Sequence, residues 1–244
     1  MHLFSRIEYH LSNQLIESLR YPGQATTMLG LLKYPDDFSK AQGLNQPWYI
    51  DTSTTATKAD NNEFAARHAY RIQSPTVKGT FSFEISFGFC EDYDKIVYGL
   101  KHGLICIRKP DDDAVFRGAE SNAGKVSLDK ISWFIPHFIP ADAEKFFIYK
   151  TIESKVKLPV AYRTRQCDML SVIESTSFTW RLSVKTAPVK PKFIIVGFQT
   201  DNDGDQTRNL SIIDHVNLKN AYVTLNLDRY HAVYIIYHSQ PEIF

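Results

Sequence analysis

The sequence lacks an excess of charge of either sign. Its 28 Lys and Arg residues nearly balance its 27 Asp and Glu residues, which leaves a formal net charge of +1 over 244 residues. Sequence-independent attraction to nucleic acid or to an anionic membrane depends on clustered positive charge. The composition therefore predicts no specific nucleic-acid partner and no membrane partner.

Cysteine is also scarce. The chain has only Cys90, Cys106 and Cys167, an odd number with no CxxC pair. This argues against a zinc knuckle and against the disulfide framework of a small secreted protein. A reducing compartment is the expected setting.

Long apolar runs and an export signal are missing as well. No apolar run approaches the ~18 residues that a membrane-spanning helix requires, and residues 1–6 lead quickly into polar sequence. No signal peptide is predicted. We expect a soluble protein that is not secreted by the usual route.

What the sequence does contain is many short strand patterns and two short helical ones. Aromatic residues make up 13% of the chain, which favours strands. Helices are predicted at residues 25–34 and 141–152. Strands are predicted at residues 4–11, 15–19, 64–72, 79–89, 95–100, 104–108, 125–136, 156–161, 168–172, 177–184, 193–198 and 221–227. Because regular βαβ alternation is absent, the fold class predicted is all-β, an antiparallel sandwich.

Three stretches predict how the chain is organised into strands, domains and loops. Residues 193–198 form an apolar run that predicts a strand buried on both faces, joined by an Asp-rich loop to the strand at 221–227. Residues 114–124 contain two glycines and predict a boundary between domains at 1–122 and 123–244. Residues 36–63 predict a long polar loop, which is unusual enough to indicate a binding surface.

The Asp-rich loop is the nearest approach to a metal motif. Asp201, Asp203 and Asp205 alternate as in a calcium loop, but Gln206 stands where the motif needs glycine and Ile212 replaces the closing glutamate. We favour an Asx-rich turn over a calcium site. The histidines are scattered without metal spacing.

Two further clusters contain residue types that could act in catalysis. Glu91, Asp92 and Asp94 resemble paired carboxylates, and Cys167 follows Arg163 and Arg165, which would depress a thiol pKa. A solvated loop and ordinary charged neighbours on a strand are the simpler interpretations. No GxSxG, Walker or GxGxxG pattern is present. The sequence predicts no catalytic, cofactor-binding or metal site, and no enzyme.

Seven segments in one order resemble the double jelly-roll domain proteins. These are the major-capsid-like proteins of Polinton- and adintovirus-type elements, found as integrated copies in invertebrate genomes. The segments are residues 64–72, 88–98, 130–136, 160–167, 179–186, 194–203 and 214–220.

The resemblance implies two jelly rolls side by side and a structural shell protein without catalytic residues. It further implies self-assembly into trimeric, pseudo-hexagonal capsomers that contact capsid neighbours. The location implied is the virion if the element is active, and otherwise the cytoplasm or nucleus.

The resemblance is incomplete at three places. The family has further strands before the counterpart of residues 4–19 and after that of 227–230, and the region around residues 84–86 looks short. We therefore expect a truncated or domesticated copy whose unpaired strand edges invite aggregation or pairing. The alternative from another class is a host-retained β-sandwich that binds glycan or protein through residues 36–63.

Overall fold

The structure is a computed structural model. It describes residues 1–41, 43, 46, 48–50, 62–71, 80–116, 124–157, 159–170, 175–182, 191–200, 204–214, 216–225 and 228–231. The Asp201–Asp203 part of the calcium-like motif and the central residues 117–123 of the predicted boundary lie outside this part of the chain. The division into domains at residue 122 stays a prediction.

An antiparallel hairpin opens the fold. Strands β1 (Phe4–Leu11) and β2 (Gln14–Arg20) are joined by Ser12 and Asn13, whose φ angles are 44° and 69°. Two consecutive residues with positive φ form the tight turn that matches the twist of a hairpin. This hairpin confirms the strands predicted from the alternation of apolar and polar residues.

Strand β3 (His102–Arg108) extends this hairpin into a three-stranded sheet of order β2-β1-β3. The strand predicted at residues 95–100 is wrong, since these residues join no ladder. The partners of β1 and β3 lie 91 to 104 residues apart, from Leu11–His102 to Phe4–Arg108, and no local pattern encodes such a partner.

One face of this sheet carries the core. Ile7, Tyr9 and Leu11 alternate along β1 and are buried, and Leu19 on β2 is buried beside them. Phe89 packs against Tyr9 with ring centroids 5.4 Å apart. The hydrophobic core is therefore built on the amino-terminal hairpin.

Helix α1 (Pro22–Lys33) confirms the first predicted helix, although it starts three residues earlier. Proline suits the first helical position because its missing N–H would have no partner there. The buried face carries small residues such as Ala25 and Gly30, and a Cβ on Gly30 would overlap the Trp48 ring. Leu32 on this helix is exposed.

Among the described residues, a 3-10 turn at Phe38–Lys40 lies inside the predicted loop, and three further helices follow α1. They are α2 (Asn62–Arg71), α3 (Gly88–Asp92) and α4 (Asp142–Glu153). Helix α2 overturns the strand predicted at 64–72, because Ala65, Ala66 and Ala69 favour helix. Helix α3 ends the strand predicted at 79–89, whose residues 80–87 join no ladder. Helix α4 confirms the second predicted helix.

Strand pairing in the second half is sparse among the described residues. Strand β4 (Tyr222–Leu225) pairs with β5 (Asp228–His231), and Phe198 forms an isolated bridge with Asp214. The prediction of a strand buried on both faces at residues 193–198 is wrong, since Phe193 and Val196 are exposed.

The strands predicted at 125–136 and 156–161, and the described parts of 168–172 and 177–184, are not in ladders. An alternating pattern forms a stable strand only when a second strand pairs with it, and these segments have no such partner among the described residues. In the part of the chain that the structure describes, no helix is long and apolar enough to cross a membrane.

Candidate assembly surface

The largest exposed apolar side chains lie close together in sequence, in what we call the 131–152 segment. Phe134 and Ile139 are 89% and 90% exposed, and Phe146 and Phe147 on α4 are 72% and 71% exposed. Helix α4 has no buried residue at all. Phenylalanine and isoleucine are among the residues most often found buried. Their exposure makes this segment a candidate interaction surface.

The exposed apolar area of this segment is large when its side chains are summed. An aromatic side chain covers about 150–250 Å². The four phenylalanines at 134, 138, 146 and 147 therefore present on the order of 600 Å². With the exposed isoleucines at 131, 139 and 152 the total approaches roughly 1,000 Å². The largest apolar patch on a typical monomer is about 300–600 Å².

The beginning of α4 is stabilised locally. The Glu144 carboxylate accepts the backbone N–H of Ala141 at 3.2 Å, and Lys145 forms an ion pair with Asp142 at 2.9 Å. Tyr149 contacts Tyr98 edge to face, with centroids 5.7 Å apart. Local hydrogen bonds therefore define the helix, while tertiary packing leaves most of its apolar area open.

A buried carboxylate is the second notable feature. Glu17 is 3% exposed and lies on the same face of β2 as Leu19. Its Oε1 accepts the backbone N–H groups of Gly88 (3.2 Å) and Arg165 (3.0 Å), and its Oε2 accepts that of Phe89 (3.0 Å). We call this group, with the ion pairs around it, the Glu17 junction. It attaches residues 163–167 to the hairpin and to α3.

Two arginine–carboxylate pairs flank Glu17. Arg163 donates through Nε to Asp92 Oδ2 at 2.8 Å and through Nη2 to Asp92 Oδ1. Arg165 donates to Glu91, which also pairs with Lys33 at 3.3 Å. The carboxylates that the sequence offered as a catalytic pair are thus held in ion pairs with arginine.

The junction also explains a glycine and a tyrosine. A Cβ on Gly88 would overlap the carbonyl oxygen of Arg163, so only glycine lets the two backbones approach. Tyr162 donates its hydroxyl to the carbonyl of Ile16 at 3.1 Å. These contacts position the 162–167 stretch against β2.

The pKa values of the junction follow from burial and pairing. Burial raises the pKa of Glu17, and the three backbone hydrogen bonds only partly oppose this. Hydrogen bonds from Arg163 hold the pKa of Asp92 well below its usual range. Burial opposes ionisation of Glu91, but hydrogen bonds and charge from Arg165 and Lys33 outweigh it and lower the pKa of Glu91.

Cys167 has the opposite character from a nucleophile. Burial, reinforced by Asp168, raises the pKa of its thiol to about 11. The sequence had offered a depressed thiol pKa from Arg163 and Arg165. Their guanidinium groups instead bind Asp92 and Glu91, which removes them as activating partners.

The other motifs take structural roles where they are described. Asp205 accepts the backbone N–H of Thr207 at 2.8 Å and pairs with Arg208 at 3.6 Å, as in an Asx turn. His102 accepts or donates a hydrogen bond with the Tyr9 hydroxyl at 2.8 Å. Among the described residues no group of three metal-binding side chains comes together.

The sequence analysis does not single out Glu17, although its position on an alternating strand is informative. Its position two residues before Leu19 on an alternating strand places the carboxylate on the apolar face. A charged residue there is rarely buried without partners. The partners, at positions 88, 89 and 165, could not be read from the local pattern.

A cavity of about 360 Å³ lies beside the start of α2. It falls within the stretch that the sequence predicts as a binding loop. Its lining combines aromatic with charged and amide side chains, including those of Asp36, Lys40, Trp48, Tyr49, Asn62 and Glu63.

Comparison with known proteins identifies the class of domain. A family model described as a double jelly roll-like domain matches residues 48–235. The chain therefore belongs to the double jelly roll-like domain family, and the predicted resemblance is confirmed at the level of domain type. No curated protein matches the chain, and no solved structure matches it.

Proposed function

We propose that the chain is a structural protein of the capsid type that self-assembles into trimeric capsomers, with no catalytic role. Membership of the double jelly roll-like domain family supports this, because such domains are typical of viral capsid proteins. The observation that carries the proposal is the exposed apolar area of the 131–152 segment. A shell protein buries such area against its neighbours.

The packing of the described core supports a structural role. In the Glu17 junction Arg163 and Arg165, which precede Cys167 in sequence, form ion pairs with Asp92 and Glu91. The proposal includes two complete jelly-roll sandwiches, of which the described residues form only small antiparallel sheets. It also includes an origin in a Polinton- or adintovirus-type element, as an endogenous copy.

Assembly is tested on the purified full-length chain by light scattering coupled to size exclusion and by negative-stain imaging. Trimers or shell-like particles are the expected result. A stable monomer at high protein concentration would sink the proposal. For the origin, a neighbouring gene for a packaging ATPase or a DNA polymerase is the expected genomic context.

The second candidate function is a binding module, and the cavity beside α2 favours it. Aromatic rings next to carboxylate, amide and ammonium groups suit a ligand with apolar faces and many hydroxyl groups, such as a glycan. A glycan array probed with the full chain and with Asp36→Ala tests this. Two results together favour the binding module over the capsid proposal: the chain binds a glycan more strongly than Asp36→Ala does, and it stays monomeric.

A further inference from the structure

Two exposed tyrosine rings contact each other beside α4. The ring centroids of Tyr98 and Tyr149 lie 5.7 Å apart, and the rings meet edge to face at an angle of 84°. Tyr98 is 40% exposed and Tyr149 is 54% exposed. A reagent in the solvent can therefore reach both phenol groups while the two rings stay neighbours.

The hydroxyl ends of the two rings face each other. Hydrogen bonding with Tyr149 is the first cause that raises the pKa of the Tyr98 hydroxyl. The two ortho carbons of a tyrosine ring, Cε1 and Cε2, flank its hydroxyl. A contact that brings the hydroxyls together therefore also brings an ortho carbon of one ring near an ortho carbon of the other.

Both tyrosines are attached to defined backbone. Tyr149 lies inside α4, which runs from Asp142 to Glu153. Tyr98 is followed by Gly99, whose φ of 72° is in the region that favours glycine and turns the chain directly after Tyr98. The backbone thus holds two residues about fifty positions apart in the sequence side by side, and their rings remain free to rotate.

We propose that Tyr98 and Tyr149 form a site of oxidative modification, at which a peroxidase and hydrogen peroxide join the two rings as an intrachain dityrosine. The inference goes beyond the proposed assembly and does not depend on it. The cross-link fixes α4 to the segment that contains Tyr98. It leaves the exposed phenylalanines of the same helix, Phe146 and Phe147, unmodified.

The reaction is balanced with hydrogen peroxide as the oxidant. Each phenol loses one electron and one proton and becomes a phenoxyl radical, whose unpaired electron is shared with the ortho carbons. One Cε atom of Tyr98 then forms a carbon–carbon bond with one Cε atom of Tyr149. The hydrogen on each of these carbons moves to the phenolic oxygen, which restores both rings. Hydrogen peroxide takes up the two electrons and two protons and gives two molecules of water.

Proximity selects this pair from the 13 tyrosines of the chain. Two reacting groups held side by side in one molecule have an effective concentration far above that of a dissolved protein. Exposed side chains also change rotamer within nanoseconds, so the two rings move from contact to bonding distance rapidly. Coupling between different chains depends on protein concentration, and coupling within this pair does not.

Oxidation of the purified full-length chain with a peroxidase and hydrogen peroxide tests the site. Dityrosine fluorescence measures the yield, and mass spectrometry of the digested protein identifies the linked peptides. The expected main product joins positions 98 and 149, lacks two hydrogen atoms and migrates as a single chain on a denaturing gel. Dilution of the protein by about tenfold is expected to leave the yield of this product unchanged.

Tyr149→Phe keeps the ring and removes the hydroxyl, and it is expected to lower the dityrosine fluorescence about tenfold. Tyr98→Phe is expected to have the same effect. Tyr222→Phe is the matched control, because Tyr222 is 53% exposed and contacts the guanidinium of Arg229. It is expected to leave the fluorescence unchanged. Absence of the 98–149 peptide, a yield that falls with dilution, or equal effects of all three variants overturns the inference.

The outcomes separate this inference from the proposed function. Trimers or particles from a protein that forms no 98–149 link overturn the modification site and leave the capsid proposal standing. A protein that forms the link and remains a monomer supports the modification site and overturns the capsid proposal.

Discussion

The carboxylate of Glu17 accepts the backbone N–H of Arg165 at 3.0 Å, across 148 residues of sequence. This hydrogen bond, with those from Gly88 and Phe89, ties the amino-terminal hairpin to the segment that carries Cys167. A buried carboxylate with three backbone donors serves the fold, and the surface that we propose for assembly is the 131–152 segment.

Glu17→Ala is expected to destabilise the protein by about 3 kcal/mol or more, because three buried N–H groups lose their acceptor at about 1 kcal/mol or more each. Urea unfolding followed by circular dichroism measures the change. Glu84→Ala, at an exposed position, serves as the control and is expected to change stability by less than about 0.5 kcal/mol. Equal effects of the two variants would argue against the junction.

Gly88→Ala is expected to cost about 1–3 kcal/mol, because the added Cβ meets the Arg163 carbonyl oxygen and forces the backbones apart. Gly103→Ala is the matched control. There the nearest atom is the Cβ of His10 at 3.5 Å, an ordinary contact. Thermal unfolding of both variants checks the difference, and a Gly88 variant as stable as the Gly103 variant contradicts it.

Asp92→Asn is expected to reduce the loss of stability in acid. Arg163 lowers the folded-state pKa of Asp92, so this pair stabilises the protein fully above the unfolded pKa of about 3.9. The stabilisation is lost progressively as the pH falls from there through the lower folded-state pKa. The raised pKa of Glu17 acts in the opposite direction in both proteins and cancels in the comparison.

The measurement is the urea midpoint of the wild type and of Asp92→Asn between about pH 6 and pH 2.5. The two curves should differ at pH 6 and converge in acid. Curves that stay parallel would show that the Asp92–Arg163 pair is not linked to folding.

Cys167 is expected to react last of the three thiols with iodoacetamide at neutral pH. Its thiol is buried and its pKa is raised to about 11, so little thiolate is present. Cys90 is the exposed thiol and should react first, although partial desolvation and the charges of Glu17 and Glu91 raise its pKa as well. Mass spectrometry of a labelling time course gives the order of reaction. Rapid labelling of Cys167 would show a reactive thiol and would contradict this prediction.

Phe134→Ser combined with Phe138→Ser is expected to raise the soluble fraction of the expressed chain. Both side chains are exposed and outside the core, so removing them lowers aggregation with little cost in stability. Phe87→Ser is the contrasting variant, because Phe87 is 1% exposed and its loss should impair folding. Reduced solubility of the double variant would indicate that these residues pack within the chain.

Local pattern was sufficient for part of this fold. The hairpin of β1 and β2 was predictable because alternation and a two-residue turn lie within 17 residues, and α4 because its period and its ends are local. The β1–β3 pairing was not, since nothing in residues 102–108 specifies a partner near residue 7. Helix α2 was predicted as a strand because the apolar residues at 64–72 fit both the strand period of about 2 residues and the helix period of about 3.6 residues.

The junction shows the same limit. The acidic cluster at 91–94 and the arginines at 163 and 165 were each visible in the sequence as separate features. Only the fold brings them together, at Asp92–Arg163 and Glu91–Arg165. Their mutual pairing gives these four residues a structural role at the junction.

The central claim is that this double jelly roll-like chain is a self-assembling structural protein. The most direct test is the mass of the purified full-length protein by light scattering at increasing concentration. We predict three times the 28.0 kDa chain mass, or larger particles. A single species of 28.0 kDa at every concentration would contradict the account.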